Sequence, residues 1–216
     1  MDQPERIDLA AWPRREHFEH YRSRVPCSYA ITVDLDVTEL RAASRRTGTK
    51  TYAAQVWALA TVVNRHEAFR MTLVDEAPAV WPLLHPAYTV FNPDSETFAC
   101  VSTPYDPDFG AFQARMDEDV AEHRHATRMF PQEDLPANYF DVSSLPWTSF
   151  SSFALNIKDS WDHLTPIFTL GRYEERGQET YLPLAVQIHH AAADGFHTAR
   201  FVEDLRALLA DPTWLT

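Results

Sequence analysis

Val186-Gln-Ile-His-His-Ala-Ala-Ala-Asp-Gly-Phe-His197 is where the chain changes pattern. An apolar, strand-like run from Tyr181 to Ile188 leads straight into His189 and His190. Three alanines and Asp194-Gly195 follow, and a helical pattern then continues to the C-terminus. Strand, turn and helix in so few residues place both histidines at a strand end, where side chains project into a cleft from an anchored backbone. The alanines are expected to leave open space around the imidazoles. Gly195 suits a backbone conformation that a branched residue resists. An imidazole held this way can act as a general base near neutral pH. Neighbouring strand residues point to opposite faces, so one histidine meets the cleft and the other the core or a supporting bond. A lone buried histidine is more often structural than catalytic, and the residues alone leave both roles open. His189, His190, Asp194 and His197 are also metal-ligand types. The adjacent pair diverges, however, and no Cys or Glu joins them in a spacing that brings zinc ligands together, so no metal is expected.

The 216 residues fit one domain, 1–216, with a full core. Hydrophobic residues at 45% and charged residues at 23% are near globular averages and argue against disorder. A formal charge of −12 excludes a general nucleic-acid binder and requires local cations wherever an anion is held. Cys27 and Cys100 lack a paired metal spacing and read as reduced thiols. The N-terminus lacks the basic and apolar regions of a secretory signal. The most apolar window, Val56 to Val63, falls far short of the ~20 residues of a membrane span. A soluble cytoplasmic protein without a membrane partner is expected.

No linker or repeat divides the chain. Its 15 prolines and 5 glycines predict stiff connections within one unit. Trp12 to Tyr21 reads as a short helix opened by Pro13, and Cys27 to Val37 alternates as a half-buried strand. Val37 to Ser44 and Thr51 to Arg65 read as helices, the second apolar nearly all round and therefore central. Strands are predicted around 69–74, 79–81, 87–92 and 98–102, and a charged helix from Pro107 to about Met129. Further strands follow at 140–142, 150–157, 167–173 and 180–188. A polar hairpin connection containing Gly177 lies before the last of them. The final helix carries Phe196, Ala199, Val202, Leu205 and Leu209 on one face and stops at Asp211-Pro212. Strands and helices without regular alternation predict an α/β fold, a two-layer sandwich of a mixed sheet with packed helices.

His189-His-Ala-Ala-Ala-Asp-Gly-Phe-His197 resembles the His-His-x-x-x-Asp-Gly signature of the chloramphenicol acetyltransferases. Dihydrolipoyl acyltransferase cores and peptide-synthetase condensation domains share the shorter pattern. Trp12 to Tyr21, Val25-Pro-Cys27, Tyr88-Thr-Val-Phe91, Glu96-Thr-Phe98, Val142-Ser-Ser-Leu-Pro-Trp147 and Pro166-Ile-Phe-Thr169 resemble further family landmarks, in the family's order. The resemblance spans nearly the whole chain and implies the CoA-dependent acyltransferase type of sandwich. It implies O-acetylation of the 3-hydroxyl of chloramphenicol, with acetyl-CoA as co-substrate and no bound cofactor, by direct transfer in a ternary complex. His190 maps to the general base, one ring nitrogen tied to its own backbone carbonyl, and Ser143 to the oxyanion donor. Without the resemblance, Ser143 and Ser144 read as a turn before Pro146.

Asp194 maps to an aspartate that pairs with Arg14 in a structural fork, rather than to a third member of a triad. Lys50, Tyr52, Trp147, Arg172 and Tyr173 match positions near CoA, where cations meet phosphates and rings stack on adenine. Tyr21, Tyr29, Thr89, Phe130, Phe153 and Leu155 match the acceptor pocket, and Thr169 a threonine that holds a water. Taken singly, these are the residues of any surface or core. His20, Ala87 and Asp141 depart from the family's pattern, and all three are expected near the acceptor pocket. The family further implies a homotrimer with active sites at subunit interfaces. The alternatives are a related acyltransferase for another alcohol or thiol, or a non-catalytic relic. Retention of His190 and Ser143 speaks against the relic.

Overall fold

The computed structural model describes residues 3–156 and 162–215. Its main sheet has the strand order β2 (Ser28–Asp36), β10 (Glu179–His189), β8 (Ile167–Leu170), β7 (Tyr139–Ser144), β5 (His85–Asn92), β6 (Thr97–Ser102), and β9 (Glu174–Arg176) pairs with β10 as well. The pairs β5–β7 and β7–β8 are parallel and the others antiparallel, so the sheet is mixed. A smaller antiparallel sheet joins β1 (Glu5–Arg6), β4 (Ala77–Val80) and β3 (Met71–Val74). The helices are α1 (Arg15–Glu19), α2 (Thr38–Thr47), α3 (Thr51–Val63), α4 (Phe109–His123) and α5 (Gly195–Ala210). Gly177 at φ 70° closes the β9–β10 hairpin, a left-handed conformation suited to glycine.

Register assigns every sheet residue to one of two faces. Leu182, Leu184, Val186 and Ile188 of β10 share a face with Leu35 and Val33 of β2, Leu170 and Phe168 of β8, Val142 of β7 and Tyr88 of β5. All of these belong to or pack on the core shared with the helices. α3 is buried at every position from Ala53 to Val63, as expected of a helix apolar all round. The opposite face carries Ala185, Gln187, His189, Thr169, Asp141, Ser143 and Ala87. Gly171 is required there by close approach: a Cβ would stand 3.0 Å from the Phe150 ring and 3.2 Å from Pro183.

The largest departures from the sequence reading lie in two segments. Residues 150–156 form no strand, and Ile157 lies outside the described residues. Gln187, a side chain projecting from the sheet, grips this segment instead. Leu155 N donates to its Oε1 (2.7 Å) and its Nε2 donates to Leu155 O (3.1 Å). The helix begun near Pro107 ends at His123, six residues before Met129. The chain beyond it turns to the sheet edge, where Cys100 N donates to Met129 O at 2.7 Å. Among the described residues no helix is long and apolar enough to cross a membrane.

Candidate active site

His189 ends β10 and His190 opens the turn. His189 is 2% exposed, its Nδ1 accepts from Ala191 N at 3.1 Å, and burial lowers its pKa. His190 lies between two rings. Tyr21 stacks on it in parallel, centroids 3.7 Å apart, and Tyr29 meets it edge-on at 5.1 Å. Its backbone N–H donates to Cys27 O at 2.9 Å, continuing the β2–β10 ladder by one bond. Its Nδ1 is buried with no hydrogen-bond partner, so the bond to its own carbonyl implied by the resemblance is absent from this geometry.

Asp194 fixes the turn from two sides. As N-cap of α5 its Oδ1 accepts from Phe196 N (3.0 Å) and His197 N (3.4 Å), and Asp194 N donates to the His197 ring Nδ1 (3.4 Å) to complete a capping box; the same ring nitrogen lies 2.8 Å from Oδ1. Its Oδ2 accepts from Arg14 Nη1 at 2.5 Å. Burial alone would push this carboxyl up, but hydrogen bonds from His197 and Arg14 hold it down to about 2. The pair is not the bidentate fork expected, because the cap already occupies Oδ1. Arg14 Nη2 instead reaches the Ala191 carbonyl at 3.5 Å.

Two further expectations about this turn fail. Ala191, Ala192 and Ala193 are fully buried in the core and open no space around the imidazoles. Gly195 has no positive φ, and a Cβ there would meet nothing within 4 Å. It is simply the first residue of α5. His197, weighed above as a ligand type, is half of the capping box. Asp-x-x-His ahead of a helical pattern was the signal for it.

Ser143 lies elsewhere. It pairs in register with Thr169, and Thr169 with Ala185. Ala185 precedes His190 by five residues, about 16 Å at strand rise, and two strand spacings of about 4.8 Å add to the separation. Within one chain His190 and Ser143 are therefore too far apart to touch one reacting group. Ala87 and Asp141 share the face of Ser143, and Asp141 Oδ2 lies 3.3 Å from His163 Nε2. His20 belongs to the other region, edge-on to Tyr21 at 4.9 Å. Phe153 and Leu155 sit in the segment gripped by Gln187. Phe130 is exposed in the chain beyond α4. Burial pushes the Cys100 thiol up to about 11, with the Asp141 charge adding to it, so this cysteine stays a protonated, inert thiol.

Lys50, Tyr52, Trp147, Arg172 and Tyr173 come together, with Thr89, in a groove of about 560 Å³ beside the Ser143 end of the sheet. Tyr52 donates to Thr89 O at 3.3 Å, and Thr89 Oγ1 accepts from Ser144 N at 3.4 Å. Trp147 is 57% exposed and meets Phe91 edge-on at 4.7 Å. Lys50 Nζ is paired with Asp117 at 2.9 Å. Sequence reasoning missed Gln55, whose Nε2 donates to Tyr173 OH at 2.6 Å and holds the ring against the groove. The signal was a lone glutamine, itself buried, in an otherwise apolar helix.

The architecture recurs in a solved chloramphenicol acetyltransferase, with TM-score 0.84, covering 96% of this chain and 100% of that one at 19% identity. It recurs in the dihydrolipoamide acetyltransferase of Azotobacter vinelandii, with TM-score 0.69 over 100% and 93% of the two chains at 17% identity. The fold is that of the CoA-dependent acyltransferases. A family model described as chloramphenicol acetyltransferase matches residues 3–206. The chain is 65% identical over 213 residues to the chloramphenicol acetyltransferase of Streptomyces acrimycini, covering 98% of this chain and 97% of the relative. It is 43% identical over 203 residues to chloramphenicol acetyltransferase 2 of Escherichia coli, covering 94% and 95%. The chain belongs to the chloramphenicol acetyltransferase family and is by that membership an acyltransferase.

Proposed function

We propose that this chain transfers the acetyl group of acetyl-CoA to the 3-hydroxyl of chloramphenicol, as a cytoplasmic homotrimer with one domain, 1–216, per protomer. The observation that carries the assignment is the 65% identity to the Streptomyces acrimycini enzyme across 98% of the chain. His190 Nε2 takes the hydroxyl proton as that oxygen attacks the thioester carbonyl. A C–O bond forms, and the carbonyl oxygen becomes an oxyanion that accepts from the Ser143 hydroxyl. Collapse breaks the C–S bond, and the His190 proton passes to the departing thiolate. Both substrates are bound together, so no acyl-enzyme forms.

The separation of His190 from Ser143 along the sheet supports a site completed between copies, with His190 of one protomer facing Ser143 and Thr169 of the next. Exposed Phe98, Met129, Phe130 and Leu155 are apolar side chains suited to burial by a neighbour. In this reading Tyr21, Tyr29, Phe130, Phe153 and Leu155 enclose the acceptor, and Thr169 orders a water. Trp147 and Tyr173 stack on the adenine, while Lys50 and Arg172 meet the phosphates. Local cations matter here because the chain as a whole carries −12. Lys50 exchanges Asp117 for a phosphate when CoA enters.

Purified protein, acetyl-CoA and chloramphenicol with a thiol reagent test this directly. Thiol release that requires chloramphenicol, with one acetyl ester formed per thiol, is the expected result. Release with another alcohol or thiol but none with chloramphenicol would replace the acceptor and keep the reaction class.

A further inference from the structure

A second cavity, of about 280 Å³, shares no residue with the acetyl-CoA groove. Arg14, Arg65, His66, His197 and Arg200 line it, on a chain whose net charge is −12. Glu67 is its only lining carboxylate. His66 and His197 already face Asp204 and Asp194, each at 2.8 Å, and Arg14 holds Asp194. Arg65 and Arg200 form no ion pair among the described residues; Arg200 only lies over the Phe196 ring, 5.7 Å from its centroid. Arg14 Nε is buried without an acceptor. The cluster therefore retains unspent positive charge and an unused donor. The other wall is apolar, built by Ile7, Trp12, Met71 and Val80.

We infer that this cavity binds a small organic phosphate monoester, its head on Arg65 and Arg200 and its apolar body on Trp12 and Val80. Guanidinium forks match phosphate oxygens in pairs, and two arginines without carboxylate partners supply charge that no internal contact consumes. An apolar wall opposite a few convergent polar groups is the usual plan of a small-molecule pocket. The occupant would lie against His197, whose ring caps the turn that carries His190, and outside the substrate site.

Calorimetric titration of the intact protein with phenyl phosphate, with the acetyl-CoA groove filled beforehand by saturating CoA, tests the inference. Saturable binding is expected, about tenfold or more tighter than for inorganic phosphate, because the apolar body adds contact area. The Arg65→Gln/Arg200→Gln double variant should bind about tenfold or more weakly, whereas Arg172→Gln, in the acetyl-CoA groove, should bind as wild type does. Arg65 and Arg200 are both exposed, so the double variant keeps its fold. Arg200→Gln alone repeats the test with a smaller loss. No saturable binding, equal binding by the double variant, or loss confined to Arg172→Gln would each overturn the site. Equal affinity for inorganic phosphate would overturn the role of the apolar wall.

Discussion

His190 sits in a turn held by side chains, whereas Ser143 sits in a strand held by backbone. The first depends on Asp194, Arg14, His197 and two tyrosine rings. The second is aligned by β7–β8 pairing on one side and β5–β7 pairing on the other. Substituting one side chain can move the turn, while only a change of register can move the strand. The histidine region is therefore the one whose geometry answers to single mutations and to acid, and the serine region is the fixed frame.

The sharpest break between the two regions comes from His190→Ala, which removes the proposed base. The turnover number should fall by roughly 10³–10⁴, the upper range of general-base catalysis, with the protein still folded. Near-native turnover would mean that the base is another group. His189→Ala should act in the opposite sense, lowering stability more than chemistry, because that ring is buried and bonded to Ala191 N.

Ser143→Ala comes next, with an expected loss of roughly 10²–10³ in turnover and little change in either Michaelis constant, since an oxyanion donor acts in the transition state. Ser144→Ala should be mild. Its side chain falls on the opposite face of β7, and its backbone N–H, not its hydroxyl, bonds Thr89. A crippled Ser144→Ala beside a mild Ser143→Ala would shift the site by one residue.

Asp194 separates cap from ion pair. Asn caps a helix as well as Asp does, so Asp194→Asn removes chiefly the charge that meets Arg14 and the His197 ring. Its melting temperature should drop by about 2–4 °C, the shift for about 1 kcal/mol in a chain this long, and turnover should fall with it. Asp194→Ala should lose roughly twice as much, because the cap goes too. The folded carboxyl is held below its ordinary value of 3.8, so its contribution is whole above that value and lost as pH falls towards 2. The gap between wild type and Asp194→Asn should close over that interval in thermal melts. A gap independent of pH would show that the charge of Asp194 is not what holds the turn.

Much of this was legible in the sequence. A Thr51–Val63 stretch apolar nearly all round marked a buried helix, and His-His before Asp-Gly marked a strand end. Other signals misled for physical reasons. Phe150, Phe153 and Leu155 look like strand residues, but their segment is satisfied by side chains of β2 and β10 rather than by a sheet edge. Charge runs on past His123, and periodicity alone does not reveal that the chain leaves the helix to bond Cys100. Ala191–Ala193 read as space because small residues fit both a cavity and a tight core. The groove residues lie far apart in sequence, so only the resemblance grouped them before the fold did. Gly195→Ala sets the smallest expected effect: between no change and a gain of about 1 kcal/mol in denaturant unfolding, since neither φ nor space opposes a Cβ. A loss of several kcal/mol would restore the special backbone role first read into it.

The central claim is that His190 and Ser143 act together from different protomers. His190→Ala and Ser143→Ala proteins, each crippled, can be unfolded, mixed in equal amounts and refolded together. In a ring of randomly mixed protomers, about a quarter of the interfaces join an intact His190 to an intact Ser143, so about a quarter of wild-type turnover should return. Activity no greater than the mean of the two variants would place both residues in one chain and contradict the account.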